Sequence, residues 1–330
     1  MSTNLRAELV AVVLSVGADG VQVLARDEPA RLPSGPLRED DTSLQTGVRD
    51  FAVTQTGHQL GFVEQLYTFA DLGRDDHEHR TISISYLGLT RQIQRDQDWR
   101  LVRELLPWED HRDQAAAALA RDLVHALESW MDHSLDRRAR VDTLFGCGAR
   151  SWRPELALQR YELLWEAGLV AESHQGQGAE GLRGAAGSPD FPAPGSAAGQ
   201  GSAREPGSPV PGTVASKASG TGPRMLWDHR RILATGLSRV RAKLQYAPLV
   251  AELMPAEFTL GQLQDVVEAI VGQHVHKQNF RRSIQQAQLV ENTERVARTG
   301  GRPAQLHRFR REVIEDRRQV GTKVPIPQSK

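Results

Sequence analysis

The 330 residues contain a single cysteine, Cys147. One thiol permits neither an intrachain disulfide nor a thiolate metal cluster within the chain, and its scarcity fits a reducing compartment. No segment approaches the roughly 20 apolar residues of a membrane-spanning helix. The opening MSTNLRAELV lacks the charged and apolar regions of a secretory signal. A cytoplasmic protein with no membrane partner is expected. Net charge is missing too, because 41 Lys/Arg balance 41 Asp/Glu, but the balance conceals a division. Residues 224–330 hold 19 Lys/Arg against 10 Asp/Glu, leaving 22 against 31 for the first 223 residues. A basic final third on an acidic body suggests a polyanionic partner for that third alone. Residues 173–223 have almost no large apolar side chain and are dominated by Gly, Ala, Ser and Pro. Such a stretch cannot bury enough surface to offset chain entropy, so a disordered linker is expected there.

What is present is long enough for two or three domains, and 39% hydrophobic with 25% charged residues is ordinary for a globular chain. Glu8 to Val16 and Val21 to Arg26 are apolar, β-branched runs joined by Asp19-Gly20, which predicts an antiparallel hairpin. Leu32 to Asp41 is a Pro/Gly-punctuated loop. Thr42 and Gln45 have capping-box spacing, Leu44, Val48, Phe51 and Ala52 repeat at helical period, and Gly57 is placed to end the helix. Phe62–Phe69 and Thr81–Leu89 read as two further strands around a charged loop. Helices are predicted from Trp108 to Asp132 and from Arg153 to Gly168, the second with Pro154 in its first turn. Beyond the linker, Asp228 to Tyr246 reads as a basic amphipathic helix with Leu233, Leu237, Val240 and Leu244 on one face. Thr259 and Gln262 form another capping box before a helix with a Leu260, Leu263, Val266, Val267, Ile270 stripe. His276–Gln288 is a further helix with Phe280, Ile284 and Ala287 inward. Two short strands follow, joined by Gly300-Gly301. Helix, turn, helix and hairpin describe a winged helix.

The stretch RLPSGPLREDDTSLQTGVRDFAVTQTG, Arg31 to Gly57, resembles a Nudix box, the loop and helix that hold Mg²⁺ against a nucleoside diphosphate. Its pattern is G-x5-E-x7-R-E-U-x-E-E-x-G-U, with U a bulky aliphatic residue. Gly35 fits the first glycine, Asp41 the first acid, Arg49 the arginine, Asp50 the acid after it and Phe51 the bulky position. The paired glutamates fall on Val53 and Thr54, and Gly57 arrives one residue late. Mg²⁺ requires carboxylate oxygens in near-octahedral geometry, so this box is expected to bind without cutting.

EQLYTFADLGRDDHEHRTISISYLGL, Glu64 to Leu89, resembles the strand, loop and strand after the box in NrtR-like, Nudix-related transcriptional regulators of NAD metabolism. FTLGQLQDVVEAI, HKQNFRR and TGGRPAQLHRFRR resemble that family's winged helix, most closely in its alphaproteobacterial NAD regulator branch. The resemblance implies an α+β protein with an N-terminal Nudix-like α/β/α sandwich and a C-terminal winged helix-turn-helix domain. The divisions expected are 1–135 for effector sensing, 136–172 as a helical connector, 173–223 as linker and 224–330 for DNA binding. It further implies a repressor of NAD biosynthesis or salvage genes whose Nudix-like domain, catalytically inactive, senses an NAD-related nucleotide such as ADP-ribose. Double-stranded DNA is then the partner, and palindromic recognition implies a homodimer.

For DNA contact the candidates are Lys277, Gln278, Asn279, Arg281, Arg282, Gln285 and the wing's Arg302, whose donors suit phosphates and base edges. Arg302 is equally suited to bracing its turn, and Arg308 and Arg310 to facing solvent. For the effector they are Tyr67, Arg74 and Arg80, with Arg26 and Arg49 behind them, because arginine forks suit a diphosphate and a ring stacks on adenine. The alternative puts Tyr67 in the core and pairs the arginines with Asp71, Asp75 and Asp76. His77 and His79 lack a third well-spaced ligand, so no metal site, no catalytic residue and no required cofactor is expected. Two other functions stay open: an active pyrophosphatase of ADP-ribose or a dinucleotide using Asp41 and Asp50, and a module whose winged helix docks a protein.

Overall fold

Strand β1 (Leu5–Gly17) is 13 residues long and apolar on both faces, which suits only the middle of a sheet covered on two sides. Its alternate residues divide accordingly. Leu9, Ala11 and Val13 are buried against Val48 and Ala52 of helix α1 (Leu44–Thr56), while Val10, Val12 and Leu14 are buried in a second, larger cluster on the opposite face. In this computed structural model, residues 5–39, 41–57, 60–70, 80–91, 98–173, 220–244, 249–297 and 303–315 are described.

β1 pairs antiparallel with β2 (Gly20–Leu24) through the expected hairpin, and also antiparallel with the short β3 (Ser34–Pro36) inside the loop before α1. β4 (Phe62–Phe69) and β5 (Arg80–Leu89) lie where the alternation predicts them, and β5 runs parallel to β1 over ten register pairs. A short β6 (Trp99–Leu101) completes the order β4-β5-β1-β2-β6.

Next come α2 (Val102–Leu105), α3 (Gln114–Ala126), α4 (Glu128–Met131), α5 (Leu135–Phe145) and α6 (Ala157–Glu166). Then α7 (His229–Leu244) lies on the second face of the sheet. The three layers are therefore α1, sheet and α7, an α/β/α sandwich.

The winged helix follows as β7 (Phe258–Thr259), α8 (Leu260–Val271), α9 (Lys277–Gln286), β8 (Val290–Ala297) and β9 (Ala304–Phe309), with a last helix α10 (Arg311–Glu315). β7, β9 and β8 form its own three-stranded sheet. Its buried Phe258, Leu263, Val267, Ile270, Phe280, Ile284 and Phe309 join the cluster under α7. Sandwich and winged helix thus share one apolar core.

Three local expectations need correction. α1 is capped by Ser43, whose Oγ accepts from the Thr46 amide at 3.1 Å, rather than by a Thr42–Gln45 box. The helix expected over Trp108–Asp132 starts only at Gln114, where Asp113 caps it, and gives way to a separate turn of helix after Ala126. α7 buries Leu233, Leu237, Val240 and Leu244 as expected, but not all of its basic residues lie on the outer side. Arg230 is fully buried and Arg241 is 2% exposed, each beside a buried carboxylate, Glu172 and Glu109. The Thr259–Gln262 capping box, by contrast, is formed on both sides. Residues 174–219 of the expected linker and Gly300-Gly301 of the wing turn lie outside the described residues.

Candidate nucleic-acid interface and nucleotide pocket

α9 carries Phe280 and Ile284 inward, one turn apart, and these pin one face to the core. The other face follows from their spacing: Lys277, Gln278, Asn279, Arg281, Arg282 and Gln285 are all exposed. The helix contains no Asp or Glu. Among the described residues, Lys277, Arg281 and Arg282 take part in no ion pair. The wing differs, because Arg295 pairs with Glu257 at 2.8 Å, Arg308 with Glu291 at 2.6 Å, and Arg310 donates to Gln288. Between α9 and the described strands of the wing, uncompensated charge is therefore concentrated on α9. On β9, His307 is held below its ordinary pKa mainly by burial, with the charge of Arg281 adding to the effect. Arg302 lies outside the described residues.

The pose of α9 is set from α8. Glu268 Oε1 accepts from the Val275 amide at 3.0 Å and from Gln264 Nε2 at 2.7 Å, and Oε2 meets His274 Nδ1 at 2.9 Å. Burial works to raise this carboxyl, but these hydrogen bonds outweigh it and hold it below the usual range. Glu268 thus fixes the turn immediately before α9. Sequence reasoning missed it, since its partner amide lies past the turn and no local pattern announces the contact.

In the box, Asp41 Oδ2 accepts from the Arg38 amide at 2.9 Å and lies so close to Gly47 that a Cβ there would meet it at 2.7 Å. Asp50 is exposed, Val53 is 38% exposed, and Thr54 Oγ1 is engaged on the Asp50 carbonyl at 2.7 Å. Among the described residues no group of three or more His, Cys, Asp or Glu is gathered to hold a metal ion. At the two paired-glutamate positions, Val53 and Thr54 supply no carboxylate for the Mg²⁺ of a Nudix hydrolase.

The effector candidates are not brought together. Tyr67 sits on the edge strand β4, facing the α7 side, where it packs against the large cluster and meets Phe69 edge-on at 6.4 Å. Arg49 belongs to α1 on the other face and donates to the Leu60 carbonyl. Arg26 follows β2, at the far side of the sheet, and is paired with Asp98. Between β4 and β2 lie β5 and β1, a separation of about 14 Å at the usual strand spacing. Arg74, with Asp71, Asp75, Asp76, His77 and His79, lies outside the described residues, as does the Arg80 side chain.

Residues 250–309 match the family described as the NrtR DNA-binding winged helix domain. The C-terminal unit is NrtR-like. A curated relative, the ADPR responsive transcriptional repressor NtrR of Acinetobacter baylyi, is 39% identical over 85 residues, covering 26% of this chain and 34% of the relative. The match thus spans about a third of that relative's length. The crystal structure of Shewanella oneidensis NrtR with a 27mer DNA is similar over 94% of this chain and 95% of that one, at 16% identity and a TM-score of 0.49. A MutT/nudix family protein from Enterococcus faecalis is similar over 94% of this chain and 90% of that chain, at 15% identity and a TM-score of 0.47. With the NrtR-like winged helix behind the sandwich, the α+β class read from the sequence is the one observed. Among the described residues, no helix is long and apolar enough to cross a membrane.

Proposed function

We propose that the chain is a DNA-binding transcriptional repressor of NAD biosynthesis or salvage genes, whose Nudix-like unit senses an NAD-related nucleotide such as ADP-ribose without hydrolysing it. The observation that carries this reading is the exposed, acid-free face of α9, with Lys277, Arg281 and Arg282 outside any ion pair among the described residues, within a domain that matches a DNA-binding winged helix. A helix of this kind places cations on phosphates and amide side chains on base edges in a major groove. Lys277, Gln278, Asn279, Arg281, Arg282 and Gln285 are the residues assigned to that contact, with Arg302 from the wing. The degenerate box supports sensing over hydrolysis, since Val53 and Thr54 stand where the metal-holding glutamates belong. No cofactor is needed for this role. The assembly proposed is a homodimer on a palindromic operator, its two recognition helices matching two half-sites.

The nucleotide acts by differential affinity for the DNA-bound and free arrangements. The test is a DNA-binding titration on promoters of NAD-pathway genes, with and without ADP-ribose, run beside an assay for Mg²⁺-dependent release of AMP. Expected are a specific, salt-sensitive complex, a shift in its affinity with ADP-ribose, and no AMP. AMP release abolished by Asp50→Ala would establish a pyrophosphatase instead. DNA binding unchanged by Arg281→Ala with Arg282→Ala would assign the winged helix to a protein partner.

A further inference from the structure

α7 lays three cations along the aromatic side chains of β4. Arg231 lies over the Phe69 ring at 4.7 Å, Arg239 over Tyr67 at 5.8 Å and Lys243 near Phe62 at 5.9 Å. Their charge balance is unequal. Arg231 is paired with both Glu162 and Asp228. Arg239 and Lys243 share one carboxylate, Glu64, and among the described residues they have no other ion-pair partner. The Arg239–Glu64 contact is loose, at 3.6 Å, which is beyond a hydrogen bond. Arg239, Lys243 and Glu64 remain between 23% and 31% exposed, where α7 lies on the edge strand β4. The spot carries one net positive charge beside an aromatic ring, and a side-chain carboxylate already occupies the anion's place.

We propose that Arg239 and Lys243 form the diphosphate subsite of the nucleotide pocket, with Tyr67 as its aromatic wall and Glu64 as the stand-in anion that the ligand displaces. This rests on the nucleotide-sensing reading above and moves the site from the scattered Arg26 and Arg49 to the α7–β4 seam. The two cations stand one helical turn apart on the same face, so they present their donors to a single extended anion. A diphosphate brings more negative charge and more acceptor oxygens than one carboxylate, and charge-assisted hydrogen bonds favour the exchange. Tethering of α7 to β4 by Glu64 alone would give the opposite response to loss of that carboxylate, which makes the two roles separable.

The experiment is calorimetric titration of the full chain with ADP-ribose, ADP, AMP and inorganic pyrophosphate, comparing Arg239→Gln, Lys243→Gln and Glu64→Gln with the unaltered protein and checking each by thermal melting. Arg239→Gln and Lys243→Gln are expected to weaken the diphosphate ligands about tenfold each, the loss typical of one hydrogen bond to a charged group. Glu64→Gln is expected to tighten them by on the order of threefold, because a competing surface carboxylate is removed. ADP-ribose binding indifferent to all three substitutions, or weakened by a well-folded Glu64→Gln, overturns the subsite and leaves nucleotide sensing standing. Pyrophosphate binding with the expected pattern, without binding of ADP-ribose, keeps the subsite and removes ADP-ribose as effector. Failure of every phosphorylated probe to bind overturns both.

Discussion

Arg241 Nε donates to the Ile270 carbonyl at 2.7 Å, so a helix of the sandwich caps the last turn of α8 in the winged helix. The same guanidinium donates to the Glu109 main-chain carbonyl at 2.8 Å and pairs with the Glu109 carboxylate. That carboxylate also receives a two-pronged contact from Arg160, at 2.7 and 2.8 Å, and the Arg160 guanidinium is stacked 3.6 Å from the Trp152 ring centre. Glu109 therefore lies between two buried arginines, and the group joins residues that are 132 positions apart in the chain. It is a joint that ties α7 to α8.

Glu109→Gln leaves two buried cations without their anion, and breaking a buried pair in this way costs about 3–5 kcal/mol. Burial works to raise the Glu109 carboxyl, but Arg160 and Arg241 outweigh it, so its folded pKa lies below the ordinary value. Its stabilisation is then full above an unfolded value of about 4.3 and is lost as the pH falls through the folded one. Urea unfolding from neutral to acid pH is expected to show lower stability for the variant at pH 7 and a shallower acid branch. Equal stability at pH 7 would remove the joint from the account.

The same joint marks how far the sequence could be read. The β1–β2 hairpin, β4, the Thr259 capping box and the Phe280–Ile284 face of α9 each rest on residues within one or two turns of one another, and period and capping chemistry reveal them. Arg230 and Arg241 look like the polar side of a surface helix because Glu172 and Glu109, which bury with them, are distant in sequence. The parallel pairing of β1 with β5 is likewise a long-range choice. For the effector, the sequence offers arginines and a tyrosine only one residue at a time, whereas the shared carboxylate of Arg239 and Lys243 emerges only when α7 lies on β4.

His229 is 2% exposed, and its Nδ1 accepts from the Leu32 amide at 2.8 Å. Burial, and secondarily Arg31, lowers its pKa to about 4. The sign follows from where the unfolded chain binds its proton, near the ordinary value of about 6.5. Above that pH neither state is charged. Between it and the folded value only the unfolded state is protonated, so stability falls as the pH drops through this window, by about 3 kcal/mol in all. His229→Asn keeps a short acceptor for the Leu32 amide and removes the titration. Its unfolding free energy is expected to change less between pH 7 and pH 5 than that of the unaltered chain, and parallel curves would show that His229 carries none of the slope.

The contrast between α9 and the wing predicts unequal effects on DNA. Arg281→Ala with Arg282→Ala removes two cations that no acid offsets among the described residues, and the slope of log affinity against log salt is expected to fall by about 2. Arg308→Ala removes a cation already held by Glu291 at 2.6 Å, so a smaller change is expected. Fluorescence anisotropy over a salt series on one promoter fragment measures both. A larger slope change for Arg308→Ala would move the main phosphate contact from the helix to the wing.

Gly236 lies in the middle of α7, where alanine is favoured over glycine by about 1 kcal/mol in helix propensity. Its place against the sheet reverses that preference. A Cβ at this position would meet Val12 Cγ1 at 2.7 Å and Val12 Cβ at 3.0 Å, and Val12 is fully buried in the centre of β1. Relief requires α7 to lift from the sheet or Val12 to leave its rotamer, and overpacking of this kind costs about 1–3 kcal/mol. Gly236→Ala is therefore expected to lower the melting temperature, while Gly236→Ala combined with Val12→Ala regains part of the loss by returning the space. A single variant as stable as the unaltered chain would mean that α7 rides on the sheet with slack, and that the close contact between Gly236 and Val12 does not hold it there.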